Sequence, residues 1–313
     1  MSAAGSTRAI VAALTANFGI AAAKFVGWAI TGSAAMLAEA AHSVVDTCNQ
    51  ALLLFGQRAA TKAADELHPF GHGRSRYFWS FVVALVLFSL GSMFALYEGY
   101  HKVKHPAELS SPVVAIVILG VAVALETFSF RTALRESRPL KTEGSWWRFI
   151  RNSRNPELPV VLLEDSAALV GLLLALLGVG LAVLTDNPVW DGVGTLGIGV
   201  LLGVVAVFLM IEMQSLLIGE GATAAEDRAI RAALTRAEDI TGVSELRTQY
   251  LGPDELLVVA KVGFAPQTDL TAVTAAIEAA KANVRAAVPA VRVSYLEPDV
   301  MRAAVTDSSE QKG

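Results

Sequence analysis

Long apolar stretches separated by short polar segments run through the first two thirds of the chain. They fall at about residues 10–30, 34–56, 78–99, 111–131, 158–184 and 189–213. Each stretch is close to the roughly 20 residues that an α-helix needs to cross a lipid bilayer. The pattern therefore predicts a bundle of six transmembrane helices within residues 1–220.

The pattern changes after the sixth stretch. Helical periodicity over residues 223–239 starts with Thr223 and Glu226, which have the spacing of a capping box. Two strands separated by the turn sequence GPD follow, and then a second helix and a third strand. The order α-β-β-α-β predicts a compact α+β domain over residues 221–305, with a small antiparallel sheet backed by two helices. Residues 306–313 are expected to be a disordered tail.

The composition supports a membrane location. Hydrophobic residues make up 54% of the chain and charged residues 17%, and the mean hydropathy is +0.51. Soluble domains usually contain about 25% charged residues, so the sequence is typical of an integral membrane protein. The single cysteine excludes a disulfide framework and a Cys-based zinc finger. A net charge of −4 gives no indication of a nucleic-acid partner.

Lys and Arg residues concentrate in the loops after the second and fourth stretches, whereas the other loops carry few or none. By the positive-inside rule, both termini and the C-terminal domain are expected in the cytoplasm. The Ala-rich composition and the lack of a transit peptide favour a bacterial plasma membrane. The basic residues of the two loops are Arg58, Lys62, Arg74 and Arg76, and Arg135, Arg138, Lys141, Arg148, Arg151 and Arg154.

His42 and Asp46 lie within the second stretch, whose other residues are mostly suited to lipid. Residues four apart share one face of an α-helix, so both side chains point in similar directions. An ionisable residue inside the membrane costs about 2.5 kcal/mol or more and is expected to face the bundle interior. A neutral imidazole beside a carboxylate suits a divalent cation such as Zn²⁺. The alternative is a hydrogen-bonded pair that only ties helices together.

Glu164 and Asp165 stand side by side in the fifth stretch, where two carboxylates are difficult to explain by packing. Adjacent residues point about 100° apart on a helix. We therefore expect only one of them to share the site of His42 and Asp46. Asp165 is the expected third ligand, and either Glu164 or a water molecule would be the fourth.

A second candidate metal site lies between the second and third stretches. Asp65, His68 and His72 follow one another there at spacings of three and four residues. The alternative is a solvent-exposed turn, which the nearby Pro and Gly residues favour.

Two further carboxylates lie within the apolar stretches. Glu39, one turn before His42, is a candidate gating residue that attracts cations, or else it caps the polar face of the site. Glu126 in the fourth stretch is expected to line the ion pathway or to pair with Arg131.

Several motifs together resemble those of the cation diffusion facilitators, the proton-coupled divalent-metal exporters that include solute carrier family 30. TGSAAMLAEAAHSVVDT is similar to their second-helix signature, and HPFGHGR to their loop between helices two and three. DSAALVG resembles the start of their fifth-helix motif, and NPVWDGVGTLGIGVLLG their sixth helix. AEAAHSVVDTCNQALL together with VVLLEDSAAL is most similar to a branch that contains an animal mitochondrial zinc transporter.

The resemblance implies one transport site per protomer, made by two residues of helix two and two of helix five, spaced i and i+4. The helix-two pair corresponds to His42 and Asp46, and Asp165 corresponds to one helix-five position. The other position is Val161, where zinc-transporting members usually have histidine. The implied set therefore has three ligands, unless Glu164 replaces the missing one from a rotated or distorted helix.

The resemblance also implies that the Asp65, His68 and His72 cluster is a peripheral metal site. The C-terminal domain is expected to be ferredoxin-like and to help hold a homodimer. Arg74 corresponds to a basic residue that pairs across the dimer with an acidic one near the end of helix six. Glu220 is the expected partner.

The predicted function is proton-coupled efflux of a divalent transition metal by alternating access. Zinc is the leading expectation, although one nitrogen with two or three oxygens also suits Mn²⁺, Fe²⁺ or Co²⁺. The main alternative is a non-transporting membrane metal sensor or scaffold, because the fourth ligand is missing. An intramembrane metallohydrolase is disfavoured because the chain has no HExxH motif. A passive channel is disfavoured by the discrete ligand pair.

Overall fold

The computed structural model describes residues 19–138, 145, 146, 150, 151 and 153–300. The chain forms two compact units that divide between Leu217 and Ile218. In the described residues, the first unit consists of helices and the second of three strands and two helices. This confirms the predicted fold class, an α-helical membrane protein with a C-terminal α+β domain.

The long helices of the first unit follow the predicted apolar stretches. Among the described residues, four of them are long and apolar enough to cross a membrane: α3, α4, α5 and α6. Helix α2 is longer than a span requires but more polar, and α1 is described only from Gly19, so residues 10–18 of the first predicted span lie outside the described residues. The count of six spans stays a prediction. The helices are α1 (Gly19–Thr31), α2 (Ala34–Ala60), α3 (Ser75–Lys104), α4 (Pro112–Ser137), α5 (Glu157–Thr185) and α6 (Val189–Ile218).

Helix α2 packs against α3 and α5, and α4 packs against α5. Fully buried apolar side chains from the five helices α2 to α6 form the core, among them Met36, Leu87, Leu119, Leu172 and Ile198. Because α2 and α5 are in contact, the two helices that carry the predicted ligands are neighbours.

Helix α6 approaches α3 closely. A Cβ atom on Gly99 of α3 would lie 2.7 Å from the backbone nitrogen of Leu196 of α6, so only glycine permits this contact. Small residues commonly allow such backbone approach between membrane helices. A π-helical segment, Leu87–Met93, interrupts α3. There the Ser92 hydroxyl donates a hydrogen bond of 2.8 Å to the carbonyl of Gly199.

Asp191, at the start of α6, binds the N-terminus of α2. Its buried carboxylate accepts hydrogen bonds from the Ser33 hydroxyl (2.7 Å) and from the backbone N–H groups of Ala34 (2.8 Å) and Ala35 (3.3 Å). The Lys102 ammonium of α3 lies 3.9 Å from the same carboxylate. A negative charge at a helix N-terminus is stabilised by the helix dipole. These contacts hold the first turn of α2 against α6 and α3.

Near the opposite end of α2, Glu157 joins three helices. It lies at the start of α5 and accepts two hydrogen bonds from the Arg76 guanidinium of α3, at 2.8 and 2.9 Å. The side-chain amide of Gln57 of α2 donates a third, at 2.8 Å. Paired guanidinium–carboxylate hydrogen bonds are strong and directional, so this cluster fixes α2, α3 and α5 relative to one another.

The second unit has the predicted element order α-β-β-α-β. The capping box at its first helix is confirmed, because the Thr223 hydroxyl accepts from the N–H of Glu226 (3.3 Å) while the Glu226 carboxylate accepts from the N–H of Thr223 (2.7 Å). The predicted tail over residues 306–313 lies outside the described residues. The elements are α7 (Ala224–Leu234), β1 (Gly242–Gly252), β2 (Glu255–Phe264), α8 (Leu270–Ala287) and β3 (Val291–Val300).

The sheet order is β1-β2-β3. Strands β1 and β2 form the predicted antiparallel hairpin, but β3 runs parallel to β2. The prediction of an antiparallel sheet was therefore wrong for the third strand. The reason is the connection between them, because α8 crosses over the sheet and returns the chain to the end at which β2 began.

Candidate metal-transport site

A cavity of about 80 Å³ lies among α1, α2, α4 and α5. One water molecule occupies about 30 Å³ in the liquid, so the cavity has room for a cation and one or two waters. Four carboxylates line it: Asp46 of α2, Glu126 of α4, and Glu164 and Asp165 of α5. Asp46 lies close to the midpoint of α2. The other lining residues are Ile20, Ser43, Gln50, Leu125, Ser129 and Val161.

Both neighbouring carboxylates of α5 reach this cavity, which differs from the expectation that only one would. Val161, Glu164 and Asp165 all line it, because positions three and four after Val161 lie on either side of its direction on a regular helix. The Asn49 amide donates a hydrogen bond of 2.7 Å to Oε1 of Glu164. Val161 offers no ligand atom, but Glu164 stands within the same wall without any distortion of α5.

His42 lies behind Asp46 and does not line the cavity. The imidazole is 1% exposed, and its Nε2 is 3.5 Å from Oδ2 of Asp46. Among the described residues, neither ring nitrogen nor Oδ1 of Asp46 has a hydrogen-bond partner. Leaving such buried polar groups without partners costs about 1–3 kcal/mol each. A cation or proton bound between the two side chains would give Nε2 of His42 and the Asp46 carboxylate a partner.

Glu39 is fully buried and lies outside the cavity lining. Its Oε2 is 3.1 Å from the Lys24 ammonium of α1, and that ammonium also donates a hydrogen bond of 2.8 Å to the Ser43 hydroxyl. Sequence reasoning assigned Lys24 no role. The signal was a lysine inside a predicted span, where charged residues are rare and have partners.

Like charges held close together in a low-dielectric site repel strongly. The four cavity carboxylates therefore cannot all be ionised together unless a cation is bound, and without one some of them must carry protons. An oxygen-rich cluster of this kind can bind a divalent cation and protons alternately. That is the chemistry that an exchanger of the two requires.

Asp65, His68 and His72 are brought together in the segment between α2 and α3. In the part of the chain that the structure describes, they are the only three His, Cys, Asp or Glu side chains with ligand atoms all within 4.8 Å of one another. Oδ1 of Asp65 lies 3.1 Å from Nδ1 of His68, and Oδ2 lies 3.5 Å from Nε2 of His72. The backbone N–H of His68 donates a 2.6 Å hydrogen bond to Oδ1 and lowers the pKa of Asp65 below its ordinary value. Two nitrogens and one carboxylate fit a zinc ion.

Arg74 and Glu220, the expected charge pair, belong to different units. Arg74 is half-buried immediately before α3, and Glu220 follows α6. The backbone carbonyl of Glu220 accepts a hydrogen bond of 2.9 Å from the N–H of Tyr250. Their pairing across a dimer stays a prediction.

Comparison with known proteins gives three kinds of match. Residues 10–218 match the profile of a family described as the cation efflux transmembrane domain. The mitochondrial proton-coupled zinc antiporter SLC30A9 of Homo sapiens is 32% identical over 243 residues, which cover 77% of this chain and 43% of that protein. Metal tolerance protein C4 of Arabidopsis thaliana is 30% identical over 261 residues, covering 83% of this chain and 57% of that protein. The chain therefore spans about half the length of these relatives.

A solved structure of the MamM CTD is 20% identical, with a TM-score of 0.24, and covers 25% of this chain and 94% of that one. A likeness at this level supports no conclusion about function.

Proposed function

Because the chain belongs to the cation efflux family, whose transmembrane domain matches residues 10–218, we propose that it exports a divalent transition-metal cation from the cytoplasm in exchange for protons. The family membership confirms the resemblance that the motifs indicated. It also confirms the prediction of a membrane transporter rather than an enzyme.

One observation supports the transport site above all: four carboxylates from α2, α4 and α5 line a single small cavity near the midpoint of α2. Transporter sites commonly lie near the bilayer midplane, and buried ionisable groups there have functional roles. We assign Asp46, Asp165 and Glu164 as cation ligands. His42 lies behind Asp46 and either joins the ligands or holds a proton, and Glu126 lines the pathway.

The proposed cycle uses one set of groups for two ions. With the cavity open to the cytoplasm, the cation binds to the carboxylates and displaces their protons, since ligands must be deprotonated to bind metal. The bundle then opens to the other side, where protons bind the same carboxylates and release the cation. Proton and metal are coupled because they compete for Asp46 and Asp165.

Zinc is the proposed physiological substrate. The similar human protein is named a zinc antiporter, and one nitrogen with several oxygens is an acceptable zinc site. The same oxygen-rich set also accommodates Mn²⁺, Fe²⁺ and Co²⁺. The hydrophobic Val161 in the cavity wall supplies no ligand atom, and this reduces the selectivity of the site for zinc over the other metals.

We further propose a homodimer in which Arg74 pairs with Glu220 of the partner subunit. The basic loops after α2 and α4 support placing both ends of the chain in the cytoplasm, in a bacterial plasma membrane. The Asp65, His68 and His72 cluster is then a cytoplasmic metal site on each protomer, at the entrance side of the bundle.

Metal uptake into proteoliposomes tests the function. Purified protein is reconstituted, and Zn²⁺, Mn²⁺, Fe²⁺ and Co²⁺ are each offered with and without a proton gradient. Gradient-dependent uptake that Asp46→Asn removes is the expected result. Metal binding to the purified protein without any uptake would contradict transport and would favour a membrane metal sensor.

A further inference from the structure

The described part of α1 carries one buried charge, the ammonium of Lys24. The side chain is 5% exposed within an otherwise largely apolar helix. It donates hydrogen bonds to Oε2 of Glu39 at 3.1 Å and to the Ser43 hydroxyl at 2.8 Å, and it lies 3.5 Å from the backbone carbonyl of Glu39. The ammonium is therefore fixed at one place between α1 and α2.

The Glu39 side chain is enclosed within the bundle, where a neighbouring glycine leaves room for its carboxylate. The residue is 0% exposed, and a Cβ on Gly171 of α5 would come within 2.8 Å of its Oε1, so the absence of a side chain at Gly171 makes room for this oxygen. Among the described residues, Oε1 has no hydrogen-bond partner. The Lys24 ammonium therefore offsets the negative charge of Glu39.

The pair stands next to the cavity without forming part of its wall. Ser43, which receives the ammonium's shortest hydrogen bond, lines the cavity together with Asp46. Lys24 is therefore separated from the cavity by one hydroxyl group. Charges so close together interact strongly where little water screens them, so Lys24 and Glu39 must act in opposite directions on any cation bound there.

We propose that Lys24 sets the affinity of the transport site, an inference that rests on the transport function proposed above. Its ammonium is a fixed positive charge beside the cavity, and it offsets the negative charge of Glu39. The cavity carboxylates therefore bind a single divalent cation weakly enough to release it. Lys24 is a positioning and affinity-determining residue, and it is not a ligand.

This role differs measurably from a purely structural one. If the ion pair only held α1 against α2, removing either partner would disturb the site in the same way and weaken cation binding. If the charges act on the cation, the two removals have opposite effects. Lys24→Met leaves an uncompensated carboxylate and strengthens binding, whereas Glu39→Gln leaves an uncompensated ammonium and weakens it.

The test is the Kd of Zn²⁺ for the purified full-length chain, measured by equilibrium dialysis. All variants carry His68→Ala and His72→Ala, so that the loop cluster does not contribute. We expect Lys24→Met to lower the Kd about tenfold and Glu39→Gln to raise it about tenfold. The double variant falls between the two, and Lys24→Arg moves the Kd less than Lys24→Met. In flux measurements, Lys24→Met lowers KM and also lowers kcat, because release is slower.

Two results would overturn the inference: a Kd within twofold of the parent in Lys24→Met, or a shift in the same direction in both single variants. If Lys24→Met does not fold, Glu39→Gln carries the test, and an unchanged or lower Kd in that variant rejects the role.

Asp46→Asn in the same background separates the two proposals. Zinc binding that survives Asp46→Asn rejects the transport site itself, whereas binding lost there but unaffected by the Lys24 and Glu39 variants rejects only this inference.

Discussion

The side-chain amide of Asn49 lies 2.7 Å from Oε1 of Glu164, so one hydrogen bond joins the two helices that carry the proposed cation ligands. Asn49 is fully buried and lies one turn after Asp46 on α2. The bond holds the α5 carboxylate at a fixed distance from α2. It therefore determines how Glu164 is presented to the cavity, beside Val161 in the same wall.

Asn49→Leu should weaken zinc binding. The substitution keeps a similar volume and removes the donor, so a buried carboxylate loses its partner at a cost of about 1–3 kcal/mol. We expect the Kd of Zn²⁺ for the transmembrane site to rise about tenfold and the thermal midpoint in detergent to fall. Thr47→Val is the matched control, because among the described residues the Thr47 hydroxyl donates its hydrogen bond to the Ser43 carbonyl of its own helix. An unchanged Kd in Asn49→Leu would show that Glu164 is not held for binding.

Val161→His should shift the metal preference toward zinc. Val161 lines the cavity one turn before Asp165, and an imidazole there adds a nitrogen ligand that suits Zn²⁺ better than Mn²⁺. We expect the ratio of zinc to manganese flux, measured in competition, to rise about tenfold. Val161→Leu controls for the added volume. The same ratio in both variants would mean that Val161 does not face the bound cation.

Zinc binding by the loop cluster should weaken as the pH falls. The hydrogen bond from the His68 backbone lowers the pKa of Asp65, so this carboxylate stays ionised in mild acid and its contribution to binding is lost only below its ordinary titration range. Protons then compete with zinc mainly at the two imidazoles, whose ligand nitrogens must be free of protons to bind the metal. We expect the Kd to rise at least tenfold between about pH 7 and about pH 5, and Asp65→Asn to weaken binding at both pH values.

This measurement requires a background of Asp46→Asn, so that the transmembrane site is silent. His101→Ala with His105→Ala is the control, because these two exposed histidines lie at the other end of α3. Zinc binding that persists in His68→Ala at full strength would reject the cluster as a site.

Asp191→Asn should destabilise the helical unit. The buried carboxylate accepts three hydrogen bonds at the N-terminus of α2 and lies near Lys102. Hydrogen bonds to a charged group contribute about 1.5–3 kcal/mol, and part of this is lost with a neutral amide. We expect a lower thermal midpoint in detergent. Asp186→Asn is the control, because Asp186 is exposed and has φ +52°, a conformation that asparagine tolerates. Equal midpoints for the two variants would contradict the capping role.

Local patterns predicted the helices and the chemistry of their residues, because periodicity and the cost of a charge in lipid are properties of short segments. They did not predict which side chains pair with one another across the bundle. Glu157 and Arg76 are separated by many residues and meet only when α3 and α5 pack. In the same way, Lys24 is paired with Glu39 by the crossing of α1 and α2. The direction of β3 depended on a crossover helix that strand patterns do not encode.

The candidate site shows the same limit. The individual carboxylates were visible in the sequence, but the cavity depends on how α1, α2, α4 and α5 meet. That packing brings Glu164, Asp165 and Glu126 to one cavity and places His42 behind Asp46. It also leaves Glu39 facing Lys24, outside the cavity.

The most direct test of a shared metal and proton site is simultaneous recording of zinc and pH inside proteoliposomes. With zinc added outside and no other gradient, entry of zinc should be accompanied by exit of protons, so the internal pH rises. Both signals should disappear in Asp46→Asn and persist in the exposed-residue variant Asp186→Asn. Zinc entry in Asp46→Asn at the rate of the unmodified protein would contradict the assignment of the cavity as the transport site. Zinc entry without proton exit in the unmodified protein would contradict antiport.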